Sequence, residues 1–313
     1  MGKRRIDVVL VERGFFETRE QAQRALLAGE VLVGTRRVTK RAELLSADDE
    51  DAIVIAGRDH AVSRGYYKLQ KAFLDFALEA DGRAALDVGA STGGFTQYLL
   101  ERGAHPVYAV DCGTNQLVYS LRRDARVIVL EKTNARFLTY DALARAWNED
   151  LRAAKGALGG EICGTRDIGD SSTSRRETSP ASNGETIEPQ IPLPDLAVMD
   201  VSFISATLIL PQLVREFPLR EIALLVKPQF EAGREDVAKG GIVREASVHR
   251  RVLARIAAFA RELDFPVRAL TYSPIRGAEG NIEFLSLLCR NSPLPVIDED
   301  AIAKIVAEAH EHL

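Results

Sequence analysis

The chain has 313 residues, of which 46% are hydrophobic, so it is long enough for a full α/β domain and one smaller module. A formal net charge of −4 excludes a general attraction of the whole molecule to phosphate, so a nucleic-acid surface would depend on local clusters of Lys and Arg. Three widely spaced cysteines and the lack of about 18 consecutive apolar residues predict a cytoplasmic protein with no disulfide framework, metal or membrane partner.

Residues 1–60 are predicted to form a small α+β domain. The pattern RIDVVLVERG is helical, and a second helix follows Thr18, a residue type that commonly caps helix N-termini. Short apolar runs then predict strands at 30–34, 36–39 and 52–56. This mixture of short elements indicates a separate unit ahead of the main domain.

Residues 61–313 predict a larger α/β domain. After a helical segment at 66–79, strand patterns alternate with helices or loops, in the order AALDVG, VYAVD, RVIVL, LAVMDV and EIALLVK. Such alternation is typical of a parallel sheet with helices on both faces. A long helix, two runs that could pair as antiparallel strands (VRALTYS and IEFLSLLC) and a final helix complete the chain. The predicted fold class is therefore a Rossmann-like α/β domain with a mostly parallel seven-stranded sheet.

A stretch at about 156–194 interrupts this pattern before the strand LAVMDV. It is rich in Gly, Ser, Thr, Pro and charged residues and has almost no apolar periodicity. A segment of this composition cannot bury enough surface to offset its chain entropy. We therefore predict a disordered insertion within the larger domain.

A glycine-rich loop follows the first strand of the larger domain, where that strand turns into a helix. Glycines let the backbone approach a ligand closely, and open α/β sheets bind ligands beyond the carboxyl ends of their strands. The spacing matches neither a dinucleotide fingerprint nor a phosphate loop, which favours S-adenosylmethionine (SAM) or a nucleotide without a pyrophosphate contact. Alternatively, the loop is only a tight turn and the acidic residue of the next strand only a helix cap. The candidate ligand-binding residues are Asp87, Gly89, Ala90, Ser91, Thr92, Gly93, Gly94, Phe95 and Asp111.

Four charged residues lie at element ends that could share one crevice. Asp200 and Lys227 end two apolar strand patterns, and the carboxyl ends of parallel strands meet at one edge of a sheet. Glu283 begins the run IEFLSLL, which brings it to the same edge if that strand is antiparallel. Lys68 opens the helix at 66–79. The alternative is that each is a surface charge or a structural ion pair, the commonest fate of these residue types.

Such a cluster suits proton removal from a poor nucleophile. A ribose hydroxyl that attacks a methyl group needs a base beside it, held in line with that methyl group. We assign Lys227 as the base, Asp200 and Glu283 as groups that orient the amines, and Lys68 as a second amine that holds the substrate.

The chain resembles the TlyA family of bacterial 2′-O-ribose RNA methyltransferases. In that family an S4-like RNA-binding domain precedes a methyltransferase domain similar to the FtsJ family. The resemblance covers nearly the whole chain apart from the insertion. Its specific marks are SRG followed by KL at 63–69, GASTGGFT at 89–96, DVSFIS at 200–205, VKPQFE at 226–231 and NIE at 281–283.

The resemblance implies roles for particular residues. Lys68, Asp200, Lys227 and Glu283 occupy the positions of the family's K-D-K-E tetrad. The glycine loop, Asp111 and Asp200 occupy its SAM site, and Asn134 lies near the adenine. Family substrates are cytidine ribose hydroxyls of ribosomal RNA, so the expected cofactor is SAM and the expected partner is ribosomal RNA or a ribosomal subunit.

The N-terminal unit resembles an S4 domain, which implies that basic residues there contact phosphate. The alternative is a balanced solvated surface, because acidic residues in 1–60 are about as numerous as basic ones. The expected RNA contacts, with one more from the start of the larger domain, are Arg4, Arg5, Arg19, Arg36, Arg37, Lys40 and Arg64.

Two other functions stay open at this point. A non-catalytic RNA-binding or ribosome-assembly factor would bind the cofactor without transferring the methyl group. A hemolysin, which is another label used for the family, is opposed by the lack of a membrane span and of a strongly amphipathic cationic helix. The oligomeric state is not predicted by the sequence.

Overall fold

The structure is a computed structural model. It describes residues 4–13, 15–16, 18–33, 36–46, 49–50, 53–55, 61–157, 191–277 and 279–313. Residues 158–190, which make up most of the predicted insertion, therefore lie outside the described residues.

Strands and helices alternate through the larger domain, after a first group of short elements. The strands are β1 (Arg4–Arg5), β2 (Val31–Val33), β3 (Arg36–Val38), β4 (Leu44–Leu45), β5 (Ile53–Ile55), β6 (Ala85–Val88), β7 (Val107–Val110), β8 (Val127–Leu130), β9 (Leu196–Met199), β10 (Glu221–Val226), β11 (Val267–Tyr272) and β12 (Phe284–Cys289). The helices are α1 (Ile6–Glu12), α2 (Arg19–Leu27), α3 (Gly65–Phe76), α4 (Gly94–Glu101), α5 (Tyr119–Arg122), α6 (Tyr140–Ala157), α7 (Leu210–Glu216), α8 (Pro228–Glu231), α9 (Ala246–Glu262) and α10 (Glu299–His312).

The larger domain is built on a seven-stranded sheet with the order β11-β12-β10-β9-β6-β7-β8. The five neighbouring strands β10, β9, β6, β7 and β8 are parallel to one another. Strand β12 is antiparallel to both of its neighbours, β10 and β11. Val226, at the end of β10, pairs with Phe284 at the start of β12. The predicted fold class and the predicted antiparallel strand pair are therefore confirmed.

Both faces of this sheet are buried, which explains why its strands are continuous apolar runs rather than alternating ones. On β9, Ala197 and Met199 join the core on one face, while Leu196 and Val198 join the core on the other. Side chains alternate across a strand, so each face needs its own apolar residues. Helices cover both faces and leave the strand ends at the carboxyl edge open to a ligand.

The N-terminal unit has a core of its own. Helices α1 and α2 pack together beside a small antiparallel sheet of order β3-β2-β5, and β1 pairs with β4. Ile6, Leu10 and Leu26 are fully buried there. None of the described helices is both long enough and apolar enough to cross a membrane.

Candidate active site

A cavity of about 330 Å³ opens at the carboxyl edge of the central sheet. The loops after β6, β9 and β10 line it, together with the first turn of α3 and the residue before β12. The fold thus brings together residues up to 215 positions apart in the chain. All four candidate catalytic residues line this cavity, namely Lys68, Asp200, Lys227 and Glu283.

The four charged residues form two ion pairs. Lys68 Nζ lies 2.5 Å from Glu283 Oε2, and these side chains are only 9% and 3% exposed. Lys227 Nζ lies 2.5 Å from Asp200 Oδ1 and donates a hydrogen bond of 2.8 Å to Ser202 Oγ. Charges this far from solvent require partners, and each amine has a carboxylate partner inside the cavity.

The loop after β9 contributes two residues to which the sequence analysis assigned no role. Ser202 contacts Lys227, as described above, and Phe203 lies at the cavity wall with 89% of its surface exposed. Phe203 adopts a φ of +64°, and its ring centroid lies 5.0 Å from that of Phe230. Phe203 thus presents an exposed aromatic ring at the wall of the cavity. The motif DVSFIS contains the signal, but the exposure of Phe203 depends on the tertiary fold.

The glycine loop touches the end of the neighbouring strand. Gly89 has a φ of +87°, and a Cβ atom there would lie 2.2 Å from the carbonyl oxygen of Asp200. Only glycine allows the end of β6 to come this close to the end of β9. Ala90, Ser91 and Thr92 of this loop also line the cavity, as do Gly94 and Phe95 at the start of α4.

Asp111 joins the glycine loop to the loop after β7. Its Oδ2 atom accepts a hydrogen bond from the Ser91 backbone N–H at 2.8 Å, and its Oδ1 atom accepts one from the Gly113 N–H at 2.7 Å. Each carboxylate oxygen has a second lone pair, so the group retains capacity for a ribose diol. Asp111 therefore links these two loops, although it does not itself line the cavity.

We predict that Asp111→Ala weakens SAM binding. Removal of a hydrogen bond to a charged acceptor costs about 1.5–3 kcal/mol. The variant also loses the link between Ser91 and Gly113, which adds to the effect. Isothermal titration calorimetry measures the change, and Asp124→Ala is the control because Asp124 forms its contacts with Arg126, away from the cavity. Equal affinity of Asp111→Ala and the wild type would contradict the assignment.

Three other candidate cofactor residues lie outside the cavity lining. Asp87 is fully buried in β6, where its Oδ2 atom accepts a hydrogen bond of 2.6 Å from Thr96 Oγ1. Burial raises the pKa of the Asp87 carboxyl to about 7, and the hydrogen bond from Thr96 opposes this shift. Gly93 has a φ of +101° and caps α4. Asn134 is exposed, and its Oδ1 atom accepts a hydrogen bond from the Arg136 N–H.

The candidate RNA contacts differ in whether their side chains pair with another described residue. Arg5 and Arg19 bind the carboxylate of Asp7, which is fully buried, at 3.0 and 2.7 Å. Burial acts to raise the pKa of Asp7, but hydrogen bonds from Arg5, Arg19 and Gln23 outweigh it and hold that pKa below its usual range.

Arg4 and Arg36 also have carboxylate partners, Glu12 and Glu43 respectively. By contrast, no ion pair or hydrogen bond joins the side chains of Arg37, Lys40 or Arg64 to another described residue, and Arg64 lines the cavity. No group of three or more His, Cys, Asp or Glu in the described ranges could hold a metal ion.

Comparisons with known proteins identify both parts of the chain. A family model described as FtsJ-like methyltransferase matches residues 61–290, and one described as S4 domain matches residues 4–51. The chain is 38% identical to YqxC of Bacillus subtilis, a protein provisionally named as an rRNA methyltransferase, over 99% of this chain and 95% of that protein. It is 35% identical to the 16S/23S rRNA (cytidine-2'-O)-methyltransferase TlyA of Mycobacterium tuberculosis over 97% of both chains.

Likeness also extends to a solved structure. A Streptococcus thermophilus protein provisionally called a hemolysin shares 38% identity and a TM-score of 0.62, with 100% of this chain and 97% of that chain covered. Matches of this identity over nearly the full length show common descent of both domains. The chain therefore belongs to the TlyA family of FtsJ-like methyltransferases, with an S4 domain at its N-terminus.

Proposed function

We propose that this protein transfers a methyl group from SAM to the ribose 2′-hydroxyl of a cytidine in ribosomal RNA. The observation that carries the proposal is the presence of two lysine–carboxylate pairs in one cavity with the glycine loop. A ribose hydroxyl is a poor nucleophile, so transfer to it requires a base and a fixed geometry. The cavity provides groups suited to both requirements.

The residues around the glycine loop fit SAM. The loop contributes small residues to the cavity wall, and carboxylates stand near it at Asp111 and Asp200. A carboxylate beside such a loop suits a ribose diol, and a second one suits a positively charged group. When bound, SAM supplies an electrophilic methyl group on a sulfonium sulfur, which leaves as a thioether.

Lys227 is the proposed base. The Lys227 ammonium first passes a proton to Asp200 Oδ1, which lies 2.5 Å away, and the neutral Nζ atom then takes the proton of the 2′-hydroxyl as the new O–C bond forms. Ser202 Oγ, 2.8 Å from Nζ, holds the amine in position. Lys68, held by Glu283, places a positive charge in the same cavity, where it stabilises the negative charge that develops on the ribose oxygen.

Groups at the cavity wall suit an RNA strand. Phe203 presents an exposed ring, and stacking of a base on an aromatic side chain contributes about 1–3 kcal/mol. Arg64 offers a positive charge to a phosphate at the same cavity. The S4 domain supports an RNA substrate, and the name of the TlyA relative, which specifies rRNA and cytidine-2'-O, supports ribosomal RNA. A ribosomal RNA substrate in turn supports the cytoplasm as the location of the protein.

Arg37 and Lys40 of the S4 domain, whose side chains form no ion pair or hydrogen bond with another described residue, are predicted to contact phosphate. Neutralising Arg37 and Lys40 together should reduce the slope of log affinity against log salt by about 0.7–0.9 for each phosphate that the protein no longer neutralises. Arg19→Gln is the matched comparison: because Arg19 binds the buried Asp7, this variant should lower the melting temperature instead. Binding isotherms on ribosomal subunits at several salt concentrations measure the slopes, and an unchanged slope in the double variant would assign RNA binding elsewhere.

Transfer assays on ribosomal subunits test the proposed function. The purified protein is incubated with radiolabelled SAM and with small or large subunits from a strain that lacks the modification, and transfer RNA serves as the control acceptor. We expect label in the ribosomal RNA of at least one subunit. SAM binding without transfer to any ribosomal RNA would contradict the proposal and favour a non-catalytic assembly factor.

A further inference from the structure

Glu231, the last residue of α8, is a buried carboxylate outside the catalytic cavity. Only 3% of its side chain is exposed. Its Oε2 atom accepts a hydrogen bond of 2.6 Å from Ser205 Oγ, and its Oε1 atom accepts one of 2.7 Å from the Ala206 N–H. Arg255 Nη2, at 3.3 Å from Oε2, balances its charge.

These hydrogen bonds join the two segments that carry one of the ion pairs in the cavity. The loop that begins with Asp200 ends at Ser205, and the segment that begins with Lys227 ends at Glu231. Inside the cavity, Lys227 Nζ and Asp200 Oδ1 are 2.5 Å apart. The segments 200–205 and 227–231 are therefore joined at both ends, by the Lys227–Asp200 ion pair at their first residues and by the Glu231–Ser205 hydrogen bond at their last residues.

A third contact lies between the same two segments. The rings of Phe203 and Phe230 are 5.0 Å apart, and Phe203 has a φ of +64°. A non-glycine residue in this region of φ is held there by its surroundings. Glu231 contacts Ser205 and Ala206, which follow Phe203 closely in the chain, so it helps to hold the loop in this conformation.

We propose that Glu231 is a positioning residue for methyl transfer, acting through Asp200 and Lys227. The proposal rests on the proposed function, because it assigns Lys227 to the reacting hydroxyl. A carboxylate suits this position because its two oxygens can accept from a hydroxyl and a backbone N–H at once. Hydrogen bonds of 2.6 and 2.7 Å to a side chain and to the backbone hold this part of the loop in one position.

Two substitutions at Glu231 separate positioning from charge. Glu231→Ala removes both hydrogen bonds, and a displacement of about 1 Å at the reacting groups costs about 100-fold in kcat. In Glu231→Gln, the side-chain carbonyl still accepts from the Ala206 N–H and the amide donates to Ser205 Oγ, so most of kcat should return. SAM affinity should change little in either variant, because Glu231 does not line the cavity.

The control variant is Asp195→Asn. Asp195 precedes β9 at the opposite edge of the sheet, where its Oδ1 atom accepts a hydrogen bond of 2.8 Å from Arg83 Nε. This substitution should lower the melting temperature without a selective loss of kcat. Ser205→Ala, which removes one of the two hydrogen bonds, should give a kcat between those of the wild type and Glu231→Ala even if the alanine variant at 231 does not fold.

The assays use the full chain, ribosomal subunits and SAM, and they record kcat, KM for RNA, SAM affinity and melting temperature for each variant. A wild type that is inactive on every RNA would overturn the proposed function itself. With an active wild type, wild-type kcat in both Glu231→Ala and Ser205→Ala would overturn the positioning role. A kcat in Glu231→Gln as low as in Glu231→Ala would also overturn it, because hydrogen-bond geometry would then not be what matters.

Discussion

Replacing Lys227 by alanine is expected to abolish methyl transfer while SAM affinity stays nearly unchanged. Loss of a general base costs about 10²–10⁴-fold in rate. The neighbouring groups cannot replace it, because Asp200 Oδ1 and Ser202 Oγ, at 2.5 and 2.8 Å from Lys227 Nζ, are positioned to hold that amine. Single-turnover assays measure the chemical step, and calorimetry measures SAM affinity. Lys304→Ala, on the exposed side of α10, is the lysine control.

The outcome distinguishes a base from a binding group. If Lys227 acts on the nucleophile, kcat falls in Lys227→Ala and the SAM dissociation constant stays unchanged. If it only bound the cofactor, SAM affinity would fall as well. Wild-type turnover of Lys227→Ala would remove this lysine from the mechanism altogether.

Breaking the other ion pair is expected to affect stability as well as activity. Glu283→Ala leaves the Lys68 ammonium in a site where its side chain is 9% exposed, without the carboxylate that lies 2.5 Å away in the wild type. Removal of one member of a buried pair destabilises a protein by about 3–5 kcal/mol. Chemical denaturation measures this loss, and the transfer assay should show little or no activity.

A double substitution separates the two effects. Lys68→Met with Glu283→Leu removes both charges and replaces them with apolar side chains of similar size, which restores much of the stability in comparable cases. Activity should not return, because the second amine of the cavity is absent. Full activity in the double variant would show that this pair is only structural.

Much of the site could be predicted from the sequence because parallel strands end at one edge of a sheet. Once LAVMD and IALLVK are recognised as neighbouring strands, Asp200 and Lys227 must lie close together. The antiparallel pairing of β12 likewise brings Glu283 to that edge, as the register of Val226 with Phe284 confirms. These inferences need only the order and direction of strands.

Contacts that depend on side-chain packing could not be predicted in this way. The sequence analysis predicted that Arg5 and Arg19 contact phosphate, but in the structure both form ion pairs with Asp7. The burial of Asp7 depends on the packing of α1 and α2, which the sequence pattern does not specify. The hydrogen bond between Ser205 and Glu231 spans 26 residues and two loops. Its existence depends on how those loops turn, which strand periodicity does not specify.

Identification of the methylated nucleoside tests the proposed chemistry most directly. Ribosomal subunits from a strain that lacks the modification are incubated with SAM and the wild-type protein or Lys227→Ala. The RNA is then digested to nucleosides and analysed by mass spectrometry. We predict 2′-O-methylcytidine in the wild-type reaction and none with Lys227→Ala. A product methylated on the base instead of the ribose, or an equal yield from the two proteins, would contradict transfer to a ribose hydroxyl by Lys227.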